Sequence, residues 1–214
     1  MAERWVVQFC HCHYGPFLDV ARQYAALFAG GPYKVLTVYL TGKPSDKARL
    51  ESASDEVVFL DYSSRQVRGL KLDAIRALRG LIADRDVALV IAHRFKPIYI
   101  ACLATKLPVI GVHHAFGGYL RAPRRWFVGA FRRRLTLLGV SDAVRDDIRR
   151  CLPGWPEGAF CFRNAMRAAH VRVNKQRGVL MSWDWQVFCQ DTITQEVGAS
   201  CFGQGGDITY LDWM

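Results

Sequence analysis

The sequence contains no run of about 18 apolar residues, so no segment is built to cross a bilayer as a helix. Its first residues, MAERWVVQFCHCHYG, have neither the apolar length nor the small-residue cleavage site of a secretory signal. The protein is therefore expected in the cytoplasm. No internal period or compositional bias runs through it, which excludes collagen-like, coiled-coil and low-complexity chains. Acidic residues are comparatively few: 19 Asp and Glu stand against 29 Lys and Arg, a formal charge of +10. Such an excess fits an anionic partner (nucleic acid, anionic lipid or a phosphorylated substrate) or merely a solubilising surface. Aromatic residues are not scarce. Six Trp, 12 Phe and 8 Tyr within 214 residues require a core, which excludes disorder for the whole. The length suits one large domain or two small ones. Seven cysteines, an odd number at irregular spacing, read as reduced and mostly buried thiols in a cytoplasmic protein.

What the sequence does contain is an alternation of short β-rich runs and helical segments. Strands are predicted at Trp5–Cys10, Tyr33–Leu40, Glu56–Asp61, Val87–Ala92, Pro108–Val112, Leu135–Val140 and Ala159–Phe162. Helices are predicted at Phe17–Ala29, Leu70–Asp84, Pro97–Thr105 and Arg124–Arg134, and from an N-cap at Ser141 to Arg150. The polar stretch from Thr41 to Asp55 reads as a loop with one helical turn. Strands joined by single helices make βαβ units, and the strand runs are apolar without alternation. The expected fold is therefore α/β: a Rossmann-like parallel sheet flanked by helices, with right-handed crossovers. Ligands of such sheets lie beyond the carboxyl ends of the strands. That rule alone selects His13–Gly15, His93–Lys96, His113–Gly118 and Ser141–Asp142. The character changes near residue 170. Residues 171–214 hold three basic and five acidic side chains, leaving +12 on the preceding residues. A domain over 1–168 and an atypical tail over 169–214 follow from this shift.

Several clusters bear on chemistry. Cys10, His11, Cys12 and His13 resemble a metal cluster, but strand alternation would send the cysteines one way and the histidines the other. The spacing matches no zinc pattern, and no metal is expected. Tyr14 and Gly15 stand at the first strand-to-helix turn, where glycine lets backbone amides approach a phosphate or sugar. The G-x-G-x-x-G dinucleotide fingerprint is absent. His113 and His114 precede the flexible Ala115–Gly118, and alternation allows only one of them to face a site. In Leu120–Arg134, Arg121, Arg124, Arg125, Arg132, Arg133 and Arg134 surround Trp126 and Phe127. That pattern suits an interfacial helix on anionic lipid, with apolar area for the acyl boundary and charge for head groups. Nucleic acid could use the same charges, as could an ordinary helix with a basic outer face. No helix-turn-helix, RNP or zinc-finger pattern accompanies the cluster, so nucleic acid is not the expected partner.

Together these features resemble the N-terminal domain of retaining GT-B glycosyltransferases of family four, and more specifically a lipopolysaccharide-core sugar transferase. Four matches over residues 4–166 carry the resemblance. They are the glycine loop His13-Tyr14-Gly15-Pro16, the strand-end His93, the stretch from Pro108 to His114, and Leu138-Gly139-Val140-Ser141 with a hinge-like Arg-Asn at Asn164. The resemblance implies one half of a GT-B fold, the acceptor-side half. It implies a nucleotide-sugar donor with no separate cofactor, and a glycan or glycolipid acceptor on the inner membrane's cytoplasmic face. By position it places Gly15 near the donor phosphates and His114, the catalytic candidate, near the transferred sugar. Tyr14, His93, His113 and Ser141 would bind substrate. Arg121, Arg124, Arg125, Trp126, Phe127, Arg132, Arg133 and Arg134 would face the membrane.

The sequence departs from that family at the hinge, where Ala165 and Arg167 replace its Gly and Asp. The E-x₇-E pair of the donor domain is missing as well. The expectation is a truncated transferase, inactive alone, whose tail is poorly ordered or read in a shifted frame. Two rival readings remain: a non-catalytic module that binds phosphosugar or lipid, and a nucleic-acid-binding protein using the arginine cluster.

Overall fold

The computed structural model describes residues 3–155 and 159–161, all within one compact unit, Met1–Asn164. The hinge at Asn164, the boundary near 168 and the tail lie outside the described residues. The described residues contain seven strands: β1 (Arg4–Cys10), β2 (Tyr33–Tyr39), β3 (Glu56–Phe59), β4 (Asp86–His93), β5 (Val109–His113), β6 (Leu135–Gly139) and β7 (Ala159–Cys161). They form one sheet in the order β3-β2-β1-β4-β5-β6-β7, and every neighbouring pair is parallel. This is the Rossmann-like α/β sheet expected from the sequence.

The helices are α1 (Pro16–Ala26), α2 (Asp46–Glu51), α3 (Leu72–Ala83), α4 (Phe95–Ala104), α5 (Ala122–Ala130) and α6 (Asp142–Cys151). Side chains of β1 divide them between the two faces. Val7 and Phe9 enter a core with residues of α3, α4, α5 and α6. Cys10 packs with Ala21 of α1, and Gln8 Nε2 donates to the Ala21 carbonyl at 3.2 Å. The central strands are therefore buried on both sides, which explains their unbroken apolar runs. Burial of each large aliphatic side chain here contributes about 1.5–3 kcal/mol.

Local chemistry sets the helix boundaries. The stretch from Thr41 to Asp55 contains α2, because Ser45 Oγ accepts the Ala48 N–H at 3.2 Å and caps it. Ser141 Oγ likewise accepts the Val144 N–H at 3.3 Å and starts α6. That helix lies so close to β6 that a Cβ on Gly139 would fall 2.5 Å from the Arg145 backbone nitrogen. Only glycine fits there. The helix predicted at Arg124–Arg134 begins earlier, with Pro123 in its first turn, and ends at Ala130. Phe131–Arg134 turn instead and deliver the chain to β6. Arg134 explains the early stop: its guanidinium donates to the Leu107 carbonyl at 3.1 Å and to that of Cys102. It thus ties the entry of β6 to the end of α4. Among the described residues, no helix is long and apolar enough to cross a membrane.

Candidate functional site

The strand order reverses at β1. From β1 the chain proceeds to β2 on one side, and β4 pairs on the other. A crevice opens at such a switch point beyond the carboxyl ends of the strands. Two helices begin there, α1 after β1 and α4 after β4. Neither has a side-chain hydrogen bond at its N-cap. In α4 the N–H groups of Phe95 and Lys96 and the positive end of the dipole are thus left available to an anion, whereas α1 offers mainly its dipole, because Pro16 has no N–H and the Phe17 N–H donates to the Tyr14 carbonyl at 3.4 Å.

Both N-caps have unusual backbones. Gly15, which caps α1, has φ 57° and ψ −136°, a conformation open to glycine at little cost. A Cβ on Gly15 would meet no heavy atom within 4 Å, so its role here is backbone geometry. Arg94, which caps α4, has φ 73° and ψ 163°. That region is essentially reserved for glycine and costs a larger residue about 1–3 kcal/mol. The strained turn is fixed by the Arg94 N–H, which donates to the Val112 carbonyl at 2.8 Å. It directs the guanidinium across the crevice, 5.2 Å from the ring centroid of Phe17 on α1.

Three histidines share this crevice with Arg94. His93 Nδ1 and His114 Nε2 lie 3.1 Å apart, so one ring donates to the other. The rings stack with centroids 5.4 Å apart. His93 is 2% exposed, and its Nε2 has no hydrogen-bond partner among the described residues. Its ring meets that of Tyr24 edge-on at 4.7 Å. Burial holds His93 well below the usual imidazole range, and His114 reinforces this. Burial lowers His114 to about 4, with the Arg94 charge adding to the effect. His11 is lowered to about 4 by burial, then by Arg94 and Lys96. Its Nδ1 also lacks a partner. The crevice therefore presents neutral imidazoles beside fixed positive charge. Neutral imidazoles exchange hydrogen bonds with sugar hydroxyls, while Arg94, Lys96 and the helix ends attract phosphate.

The other sequence-selected residues fall in different surroundings. His113 turns into the core, where its Nε2 lies 2.6 Å from the Tyr119 hydroxyl and both side chains are buried. The expected substrate contact is thus replaced by a core partner, because alternation points His114, not His113, at the crevice. Ser141 is occupied as the cap of α6. Tyr14 is exposed and packs on His13 with ring centroids 4.5 Å apart. His13 separates from His11, contrary to the alternation reading, because β1 ends at Cys10 and the pleat ends with it. His13 Nε2 lies 3.0 Å from the Lys43 carbonyl, and its ring packs against Tyr39 and Phe59. Beside Gly15, between α1 and α2, a hollow of about 450 Å³ is lined by Tyr14, Leu18, Asp19, Ser45 and Glu51. A second hollow of about 480 Å³ lies at the opposite end of the sheet, around Arg4, Phe28 and Tyr33, away from the histidines.

The arginine cluster divides. Arg124 donates to the Gly118 carbonyl at 3.0 Å, and Arg125 to the carbonyls of Tyr119 and Leu120 at 3.2 and 2.7 Å. Phe127 packs against the core beside Tyr99 and Phe131. With Arg134 occupied as described, the exposed members are Arg121, Trp126, Arg132 and Arg133. Sequence reasoning placed Arg94 and Lys96 in the right window but did not assign them to the site, and it left His11 out. Their shared position at strand ends was the available signal.

No protein-family model matches this chain, and no curated protein matches it. Solved structures do. A glycosyltransferase from Rickettsia africae aligns with a TM-score of 0.59 at 9% identity, over 89% of this chain and 50% of that one. The UDP-GlcNAc 2-epimerase from Neisseria meningitidis, solved with UDP-GlcNAc bound, aligns with a TM-score of 0.53 at 12% identity, over 86% and 53%. Another UDP-N-acetylglucosamine 2-epimerase gives 0.54 at 12%, over 75% and 47%. The chain thus spans about half the length of these structures, and what it shares with them is the Rossmann-like half of a GT-B-like fold.

Proposed function

We propose that this chain is the acceptor-side half of a glycosyltransferase. In this reading a nucleotide-sugar is the donor, no separate cofactor is used, and the acceptor is a lipopolysaccharide-core or related glycan carried at an anionic membrane surface. The observation that carries the reading is the crevice between β1 and β4, where three neutral histidines and Arg94 stand beside two uncapped helix N-termini. His114 faces the reacting sugar, held in place by its bond to His93. It exchanges a hydrogen bond with a sugar hydroxyl without carrying charge of its own. Gly15 and the start of α1 lie toward the donor phosphates, and Arg94 adds fixed positive charge. A leaving diphosphate is stabilised by such preorganised donors more than by proton transfer. The exposed Arg121, Trp126, Arg132 and Arg133 supply the membrane contact.

The test is saturation-transfer NMR of core oligosaccharide with the full chain, alongside a turnover assay with UDP-sugars. Oligosaccharide contact is expected with the wild type and lost in His114→Ala and Arg94→Gln, with little or no transfer by the chain alone. Absence of oligosaccharide contact overturns the acceptor-side assignment. Robust turnover overturns its status as half of an enzyme. Conversion of UDP-GlcNAc to its 2-epimer would instead favour the chemistry of the epimerase neighbours.

A further inference from the structure

Three cations from separate elements converge at the start of α4, beside the histidine crevice. Lys71 caps α3, Lys96 lies in the first turn of α4, and Arg124 lies in the first turn of α5. One aromatic group seats two of them. Lys71 Nζ lies 4.4 Å from the Tyr99 ring centroid, and the Arg124 guanidinium 4.6 Å from that of Phe95. Phe127 bridges the two rings at 4.7 and 6.1 Å. Backbone carbonyls hold two of the cations in position: Lys71 Nζ donates to Gly69 O at 2.6 Å, and Arg124 to Gly118 O. A carbonyl fixes a cation without cancelling its charge. None of the three forms a salt bridge among the described residues.

This arrangement reverses ordinary helix design, in which acids occupy first turns. Neither α4 nor α5 has an acidic residue in its first turn, and Asp73 of α3 is paired with Arg76. None of the three helices has a side-chain cap. The positive ends of three helices therefore meet three uncancelled positive side chains. The mutual cost is visible at Lys71, whose ammonium is lowered by burial and then by the charges of Lys96 and Arg124. A compact dianion with several acceptor oxygens relieves all of these at once. Phosphate fits that description.

We infer that Lys71, Lys96 and Arg124 form a binding site for a phosphate group borne by the acceptor. The inference deepens the transferase reading and rests on it only for the identity of the phosphate's carrier. The acceptor is then a phosphorylated glycan or glycolipid rather than a neutral one.

The test is calorimetric titration of the full chain with inorganic pyrophosphate at fixed salt, with co-sedimentation on phosphatidylcholine vesicles containing phosphatidylglycerol. The double substitution Lys71→Gln/Lys96→Gln is compared with Lys106→Gln/Arg149→Gln, an equal charge change on exposed positions outside both proposed surfaces. Loss of two charge-assisted contacts is expected to weaken pyrophosphate binding about tenfold or more. The Lys106/Arg149 pair should leave it within about twofold, and Lys71→Arg/Lys96→Arg should retain it. If vesicle binding is lost together with pyrophosphate binding, the phosphate is a lipid head group. If only pyrophosphate binding is lost, it belongs to a soluble glycan. The inference is overturned if the wild type binds no pyrophosphate, if both glutamine pairs weaken it equally, or if the lysine pair affects vesicles alone. The titration involves no sugar transfer, so a chain that binds pyrophosphate here yet contacts no oligosaccharide overturns only the transferase reading.

Discussion

Acid should unfold this protein through its buried histidines. His113 is lowered to about 3, first by burial and then by the charges of His114 and Arg124. His114 is lowered to about 4, and His93 lies well below the usual range. In the unfolded chain each imidazole takes its proton near pH ~6.5. The folded chain refuses it until the pH is much lower. The stability these residues contribute is therefore complete above pH ~6.5 and is lost as pH falls below it, since the unfolded state then binds more protons. Each histidine adds a slope of about 1.4 kcal/mol per pH unit, so these three with His11, also lowered to about 4, set a ceiling of about 5 kcal/mol per unit. Against a domain stability of about 5–15 kcal/mol, even half that slope is decisive. The assay is urea unfolding followed by tryptophan fluorescence at constant ionic strength, in steps from about pH 7.5 to about pH 5. The midpoint should be level above pH ~6.5 and fall steadily below it. His113→Gln should reduce the acid slope by about one quarter while leaving the plateau above pH ~6.5 flat. A midpoint that does not move between about pH 7.5 and pH 5.5 would refute the reasoning, because three buried imidazoles cannot then be refusing protons.

Other perturbations have opposite signs at neighbouring positions. Arg94→Gly removes the backbone strain at φ 73° and should raise stability by about 1 kcal/mol in denaturant titration, while weakening nucleotide-sugar binding. Gly139→Ala drives a methyl group to 2.5 Å from the α6 backbone and should cost about 3 kcal/mol, read as a lower thermal midpoint. Asp147 is buried and accepts the Gly117 N–H at 2.7 Å and an Arg150 guanidinium N–H at 2.5 Å. Asp147→Ala should cost about 1–3 kcal/mol and speed hydrogen exchange at Gly117, whereas Asp147→Asn keeps an acceptor and should preserve most of the protection.

The sheet was legible because its strands are buried on both faces and therefore read as continuous apolar runs between helical segments. The position of the site was legible for a related reason: in a parallel sheet all strand ends of one kind share an edge, so His93–Lys96 and His113–Gly118 had to lie near one another. What fills that edge was less legible. Alternation said that one of His113 and His114 faces the crevice, but not which. The same rule misjudged His11 and His13, because it holds only while the strand lasts and β1 ends at Cys10. The special position of Arg94 depends on a backbone conformation that no residue pattern announces. The arginine cluster hides its division of labour for another reason. Whether an arginine meets solvent or a main-chain carbonyl is decided by distant segments that fold against it, as the Gly118 loop does for Arg124 and the end of α4 at Cys102 for Arg134.

The central place of β1 also has a consequence for how the protein acquires its shape. Phe9 pairs with Val38 on one side, a partner soon made, and with Ala92 on the other, which comes much later in the chain. Contacts between distant residues close slowly, since a long loop must be ordered before they form. The seam between β1 and β4 is therefore among the later joints to close, and the histidine crevice lies on that seam. Signals from His93 and His114 should mature with the slowest phase of refolding, so these rings can serve as a clock for completion of the sheet. A fragment ending before β4 would contain the glycine turn but no crevice, however well its first two strands paired.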